Sequence, residues 1–151
     1  MKKLIIMVLL LIVPQISMAA LINNMQGCQG LIEHLDKKLA ATSSKYGQSE
    51  VATARSGLAG YNRYIQGEII TPGLLKFNAG DKAKAAAMQE QVDAYKQTVV
   101  NQYDQAYPQN RLFMDHAVAL NECTKQAVPS GQALADLKET MTLMLAFARS
   151  N

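Results

Sequence analysis

Two histidines, two cysteines and a scatter of carboxylates are the residues of this 151-residue chain that could do chemistry. His116 lies in an apolar seam, with Phe113 before it and Leu120 after it at helical spacing. A histidine so placed is either a core residue with one hydrogen-bond partner or a ligand for haem or a metal held inside a helical bundle. Partners for the second role would be His34, Met25 and Met114. No Cys-x-x-Cys-His run for covalent haem occurs, nor a Glu-x-x-His pair for two irons. Glu33, Asp36, Asp115 and Glu122 stand near the histidines in sequence but off the apolar seams, where they read as solvated helix faces. A Gly-rich phosphate loop and a Gly-x-Ser-x-Gly nucleophile elbow are also absent, so an enzyme has His116 as its sole hook.

Cys28 and Cys123 point to one disulfide, in line with an exported chain. Free thiols or a metal pair are the alternatives, and two sulfurs without convergent histidines make a poor zinc site. The bridge would close a loop of about 95 residues, which loop-closure entropy values at about 4 to 5 kcal/mol.

Export is written at the N-terminus. Met1-Lys2-Lys3 is followed by an apolar run from Leu4 to Val13, then Pro14 and the small-x-small exit Ser17-Met18-Ala19. That order of basic, apolar and small residues is the build of a secretory signal peptide, giving residues 1–19 as leader and 20–151 as one domain. The apolar run falls short of the roughly 20 residues a stable membrane span needs. An exported chain of this kind belongs in the periplasm or outside the cell. The formal charge of +3 includes Lys2 and Lys3, so the mature chain is nearly neutral and its charges alternate in sign. Nucleic-acid binding and attachment to anionic lipid thereby lose their electrostatic basis.

The elements that must position these residues are helical. Leu21, Met25, Cys28, Ile32, Leu35 and Leu39 recur at alternating steps of four and three. Val51, Ala54, Leu58, Tyr61 and Ile65 repeat the pattern in a second helix, where Gly57 and Gly60 imply close approach of another backbone. A third helix, capped by Asp81, carries Met88, Val92, Tyr95, Val99 and Tyr103, and stops at Tyr107-Pro108. A fourth holds Phe113, His116, Leu120, Cys123 and Ala127. A last helix after Ser130 has Leu134, Leu137, Met141, Met144 and Ala148, with Leu143, Leu145 and Phe147 making its end apolar nearly all round. Gly47 reads as a left-handed cap after the first helix and Ser49 as the N-cap of the second. The methionines outside the leader fall at core spacing and read as filler. The fold class is therefore all-α, an antiparallel bundle of four to five helices, with the bridge joining the first to the fourth.

That bridge sets a register. Running up the first helix and down the fourth from Cys28–Cys123 brings Leu31 to Leu120 and Leu35 to His116. His34 stands at a similar height, rotated about 120° toward the flank.

Between the second and third helices, residues 66–80 break the pattern. Pro72-Gly73 marks a turn, yet the stretch carries Ile69, Ile70, Leu74, Leu75 and Phe77. A loop this apolar either lids the core or presents a binding surface. Tyr61, Tyr64, Tyr95 and Tyr103 either line a small pocket near it or serve as packing. The leading functional expectation is a small exported protein that binds another protein through an apolar surface, as an inhibitor, chaperone or immunity-type protein does. Ile69, Ile70, Leu74, Leu75, Phe77 and His116 are its candidate contacts. The alternative is a carrier of haem, metal or a small ligand through His116. A homodimer through the apolar last helix is compatible with each reading.

Overall fold

The computed structural model describes residues 18–42 and 44–150, and most of the expected leader lies outside them. Among the described residues the fold is all-α: α1 (Met18–Ala41), α2 (Gln48–Tyr64), a π-helical segment (Ile65–Ile70), α3 (Thr71–Phe77), α4 (Lys82–Ala106), α5 (Met114–Gln126) and α6 (Gly131–Arg149). None of these helices is long and apolar enough to cross a membrane. Cys28 and Cys123 form the disulfide, which ties α1 to α5.

The apolar stretch at 66–80 is not the loop its Pro-Gly suggested. α2, the π segment and α3 run on without interruption as one rod. Proline inside a helix lacks an N–H, and its ring clashes with the carbonyl four residues back. Here the backbone widens just before Pro72, and the Thr71 amide reaches back five residues to the Gln66 carbonyl. A wider turn of this kind absorbs a residue that regular α-helix would reject. Counted as rods, the bundle has five members among the described residues, and the bridge joins the first to the fourth.

Direction alternates from rod to rod. α1 therefore runs antiparallel to α5, as Cys28–Cys123 and His34–His116 show, and parallel to α4, as Gly30–Val99 and His34–Asp104 show. α1 is the hub: it packs on α2, the π segment, α3, α4 and α5, while α6 packs on α2 and α5 only. Its Leu31, Ile32, His34 and Leu35 are all buried, and its middle meets solvent along Glu33, Asp36 and Lys37. Met25, Leu35, Leu39, Leu58, Tyr61, Ile65 and Leu120 form the fully buried centre. Each such side chain contributes roughly 1.5 to 3 kcal/mol of burial.

Two glycines set helix spacing. A Cβ on Gly57 would collide with Thr140 Oγ1 and stand 2.9 Å from the Asp136 carbonyl, so α2 and α6 cross at backbone range as the small-residue pattern implies. A Cβ on Gly30 would stand 2.7 Å from Val99, which brings α4 equally close to α1. Gly60 meets only an arginine tip at 3.8 Å, and nothing there requires glycine.

The helix ends confirm some caps and correct others. Asp81 accepts from the Lys84 amide at 3.1 Å, as a cap should. Gly47 has φ −58° and is not left-handed; α1 closes instead through Thr42, whose hydroxyl donates to the Lys38 carbonyl at 2.7 Å. Ser49 lies inside the first turn of α2, preceded by Gly47 as N-cap. On α6 the buried stripe is Leu137, Thr140, Met144 and Phe147, with Phe147 stacked on Tyr46 at 4.3 Å. Met141, Leu143 and Leu145 are half-buried at its borders.

Candidate functional site

α4 and α5 both lean on α1, but their helical bodies do not pack on each other. Gly30 draws α4 in on one side, and the disulfide holds α5 on the other. The space left between them is an open groove of about 520 Å³. Its floor is α1, with Gly27, Leu31 and the Cys28–Cys123 bridge. Tyr95, Tyr103, Tyr107 and Gln102 form the α4 wall, and Ala119 and Gln126 the α5 wall. Asn23 and Asn24 complete it from α1, where the Asn24 amide donates to Gln126 Oε1 at 2.9 Å. None of the described residues that line it carries a formal charge.

The tyrosines fall on one wall because positions 95, 99, 103 and 107 repeat at the helical spacing of four. Tyr95 is exposed, whereas Tyr103 and Tyr107 are half-buried and turn their inner faces onto two histidines. His34 of α1 and His116 of α5 are fully buried, with ring centroids 5.2 Å apart in an edge-to-face arrangement. Tyr103 lies 5.4 Å from His34, and Tyr107 4.5 Å from His116.

Partners fix the two tautomers. His34 Nδ1 is 2.6 Å from Asp104 Oδ1, so it donates its proton there and leaves Nε2 bare. His116 Nδ1 accepts the Phe113 amide at 3.3 Å, which caps the start of α5 and leaves its proton on Nε2. Both Nε2 atoms are buried without a hydrogen-bond partner. Lys38, also buried, donates from Nζ to the Tyr107 carbonyl at 2.6 Å and the Gln109 carbonyl at 3.0 Å, pinning the α4–α5 connection. Burial lowers the His34 pKa, against the pull of Asp104 and with help from Lys38 and Lys37. Burial, reinforced by His34 and Lys38 and opposed by Asp115, pushes His116 down to about 4. Both rings are thus neutral near pH 7.

This corrects the expectation for His34. The register placed it at the height of His116 but turned toward the flank; that flank is filled by α4, where Asp104 holds it, and the ring still meets His116. It also bears on the carrier reading. A neutral histidine that ligates iron or a metal through Nε2 must hold its proton on Nδ1. His116 uses Nδ1 as the acceptor for the α5 cap, so its Nε2 offers no lone pair; of the pair only His34 keeps a bare Nε2, and among the described residues no three histidines, cysteines or carboxylates gather as a metal site. Met25 is buried in the core and Met114 is exposed at the head of α5.

The candidate surface at 69–77 is also redistributed. Ile70 and Leu74 are buried in the core, and Ile69 and Leu75 pack against it half-buried. Only Phe77 stands out at 59% exposure, beside a hollow of about 250 Å³ shared with Met88, Val92 and Tyr95. The expected tyrosine pocket does not form: Tyr61 donates to the Ala127 carbonyl at 2.9 Å and Tyr64 to the Val128 carbonyl at 3.0 Å, away from Tyr95 and Tyr103. Asp104, Tyr107 and Lys38 were invisible as site residues. A register drawn between the first and third helices, in addition to the first and fourth, would have exposed Asp104.

No known protein family, curated protein or solved structure matches this chain.

Proposed function

We propose that this chain is an exported binding protein without catalytic activity, and that the α4–α5 groove is where it grips another protein. The observation that carries the reading is an open, uncharged groove whose floor is a covalent bridge. A floor fixed by a disulfide costs little ordering on binding, and such preorganisation favours recognition. The residue order of positions 1–19 and the presence of a disulfide support export to an oxidising compartment. The reading moves the partner surface away from residues 69–77, of which Ile70 and Leu74 are buried in the core.

Photo-crosslinking tests it. A photoreactive residue in place of Gln102 in the groove is compared with one in place of Glu139 on the exposed face of α6. The expected outcome is a discrete adduct from Gln102 and none from Glu139, on a protein recovered outside the cytoplasm with Ala20 as its first residue. Equal labelling at both positions, or recovery only from the cytoplasm with the leader intact, would overturn it.

A further inference from the structure

The start of α5 is closed by a residue that can lose its grip. At the third position of a helix, the side chain that reaches back to the capping residue's amide is ordinarily glutamate or glutamine. A glutamine oxygen accepts at any pH. Here the position is held by His116, whose Nδ1 takes the Phe113 amide at 3.3 Å. An imidazole accepts only while neutral; once protonated, both of its nitrogens donate. A proton on His116 would set two N–H groups against each other. It would also put a positive charge in the first turn, where the helix dipole opposes one.

The surroundings do not offset that charge. From α1 the ring faces His34 at 5.2 Å, with the buried Lys38 beside them and Lys37 further out. From α4 it faces Tyr107 at 4.5 Å, and Tyr103 lies behind on His34. Asp104 of α4 is already engaged by His34 at 2.6 Å and Lys37 at 3.8 Å. Arg111 stands over the Phe113 ring at 4.3 Å, and Asp115, exposed on α5, accepts from the Tyr107 hydroxyl at 3.3 Å. Burial, His34 and Lys38 hold the ring neutral down to about 4, against the pull of Asp115.

The same group secures the α4–α5 connection. Tyr107 lies on His116 and on Phe113, Lys38 bonds the Tyr107 and Gln109 carbonyls, and Leu112 is buried. The bodies of α4 and α5 add nothing, since they do not pack on each other. Cys123 lies about 10 Å further along α5 and is fixed to α1, so a release at His116 stops at the bridge.

We propose that His116 is an acid-released catch on the α4–α5 connection: on taking up a proton it frees residues 107–113 and the first turn of α5, while the bridge keeps the rest of the bundle packed. Tyr107 lines the groove, so acid would withdraw part of the α4 wall. The catch belongs to the connection itself and is independent of what the groove binds. Its size follows from linkage. Below the ordinary histidine value of 6.5 the opened connection takes a proton that the closed one refuses until about 4, so opening should increase about thirtyfold between pH 7.5 and pH 5.

Amide hydrogen exchange of the full disulfide-bonded chain at those two pH values, corrected for intrinsic rates, is the test. The Phe113 and His116 amides report on the catch, and the Leu58 and Tyr61 amides of α2 report on the core. At the first pair the thirtyfold rise should come with little dependence on dilute urea; the second pair should exchange more slowly and respond strongly to urea. His116→Gln keeps an acceptor and cannot titrate, so opening should change by less than about threefold. His116→Leu gives up the acceptor too and should leave the connection open at both pH values; circular dichroism checks that each variant is helical. A flat profile in the native chain, a rise that survives His116→Gln, or a urea dependence at Phe113 equal to that at Leu58 would each overturn the proposal, the last because the bundle would then open as a whole.

Discussion

The hub helix carries two polar layers into the interior, one at Gln29 and one at His34, and they are built on different principles. The first is a chain of amides. Gln29 Nε2 donates to Gln66 Oε1 at 3.2 Å, Gln66 Nε2 to Gln89 Oε1 and to Thr71 Oγ1, both at 2.9 Å, and Gln89 Nε2 to Asp93 at 3.2 Å. Only Gln29 Oε1 is left buried without a partner. The second is a cluster of titratable groups, His34, His116 and Lys38, which reaches solvent through Asp104. Amides neither gain nor lose protons over the ordinary pH range, whereas a buried imidazole must resist one. The same helix thus holds one layer indifferent to acid and one exposed to it, and the acid-sensitive layer underlies the groove.

The bridge separates these layers most sharply. Cys28 and Cys123 hold α5, which supplies His116, while the amide layer involves no residue of α5. Replacing both cysteines by serine should cost about 4 kcal/mol in urea unfolding. Hydrogen exchange should accelerate in α5 well beyond the increase in the α2–α3 rod. Uniform acceleration would mean that the two layers open together.

Acid should then break the contrast on the histidine side. Above pH 6.5 His116 is neutral in both the folded and the unfolded chain, and its contribution to stability does not change. Between 6.5 and about 4 the unfolded chain takes a proton that the folded one refuses, so stability falls with pH and levels off below the folded value. The loss should reach about 3 kcal/mol. His34 acts in the same direction. The protonated His116 ring also loses Nδ1 as the acceptor for Phe113, which uncaps α5. Urea midpoints at pH 7.5, 5.5 and 4 measure the drop, and His116→Leu should flatten it. An equal slope in the variant would place the acid sensitivity elsewhere.

The smallest effect belongs to the amide layer. Gln29→Leu removes one hydrogen bond and one orphaned acceptor together, so the net change should stay within about 1 kcal/mol. It should also be the same at pH 7.5 and pH 5. A pH-dependent loss would show that the amide layer is coupled to the histidines.

The seams of α1 and α5 were legible because their apolar spacing records which residues meet across the bridge, and the bridge itself followed from there being two cysteines in a chain whose first residues read as a leader. The height of His34 was legible for the same reason. Its burial was not, because a heptad-like seam describes one neighbour and α1 has several. Asp104 looked like a surface residue in sequence, and by exposure it nearly is; its importance lies in the parallel packing of α4 on α1, which Gly30 allows and no apolar pattern announces. The helix through Pro72 was hidden because the usual proline penalty applies to regular α-helix, and here the backbone leaves that geometry for one turn.

The wider turn at Ile65–Ile70 also fixes how the chain tolerates changes in length. Deleting one residue there would restore ordinary pitch and swing the rest of the rod by about 100°, carrying Leu74 off the centre and Pro72 into a clash. The exposed tip between α4 and α5, at Asn110 and Arg111, obeys a looser rule, since an added residue in a surface connection costs little. Insertions and deletions would therefore be filtered unevenly along this protein, with a single surplus residue held fast in one helix.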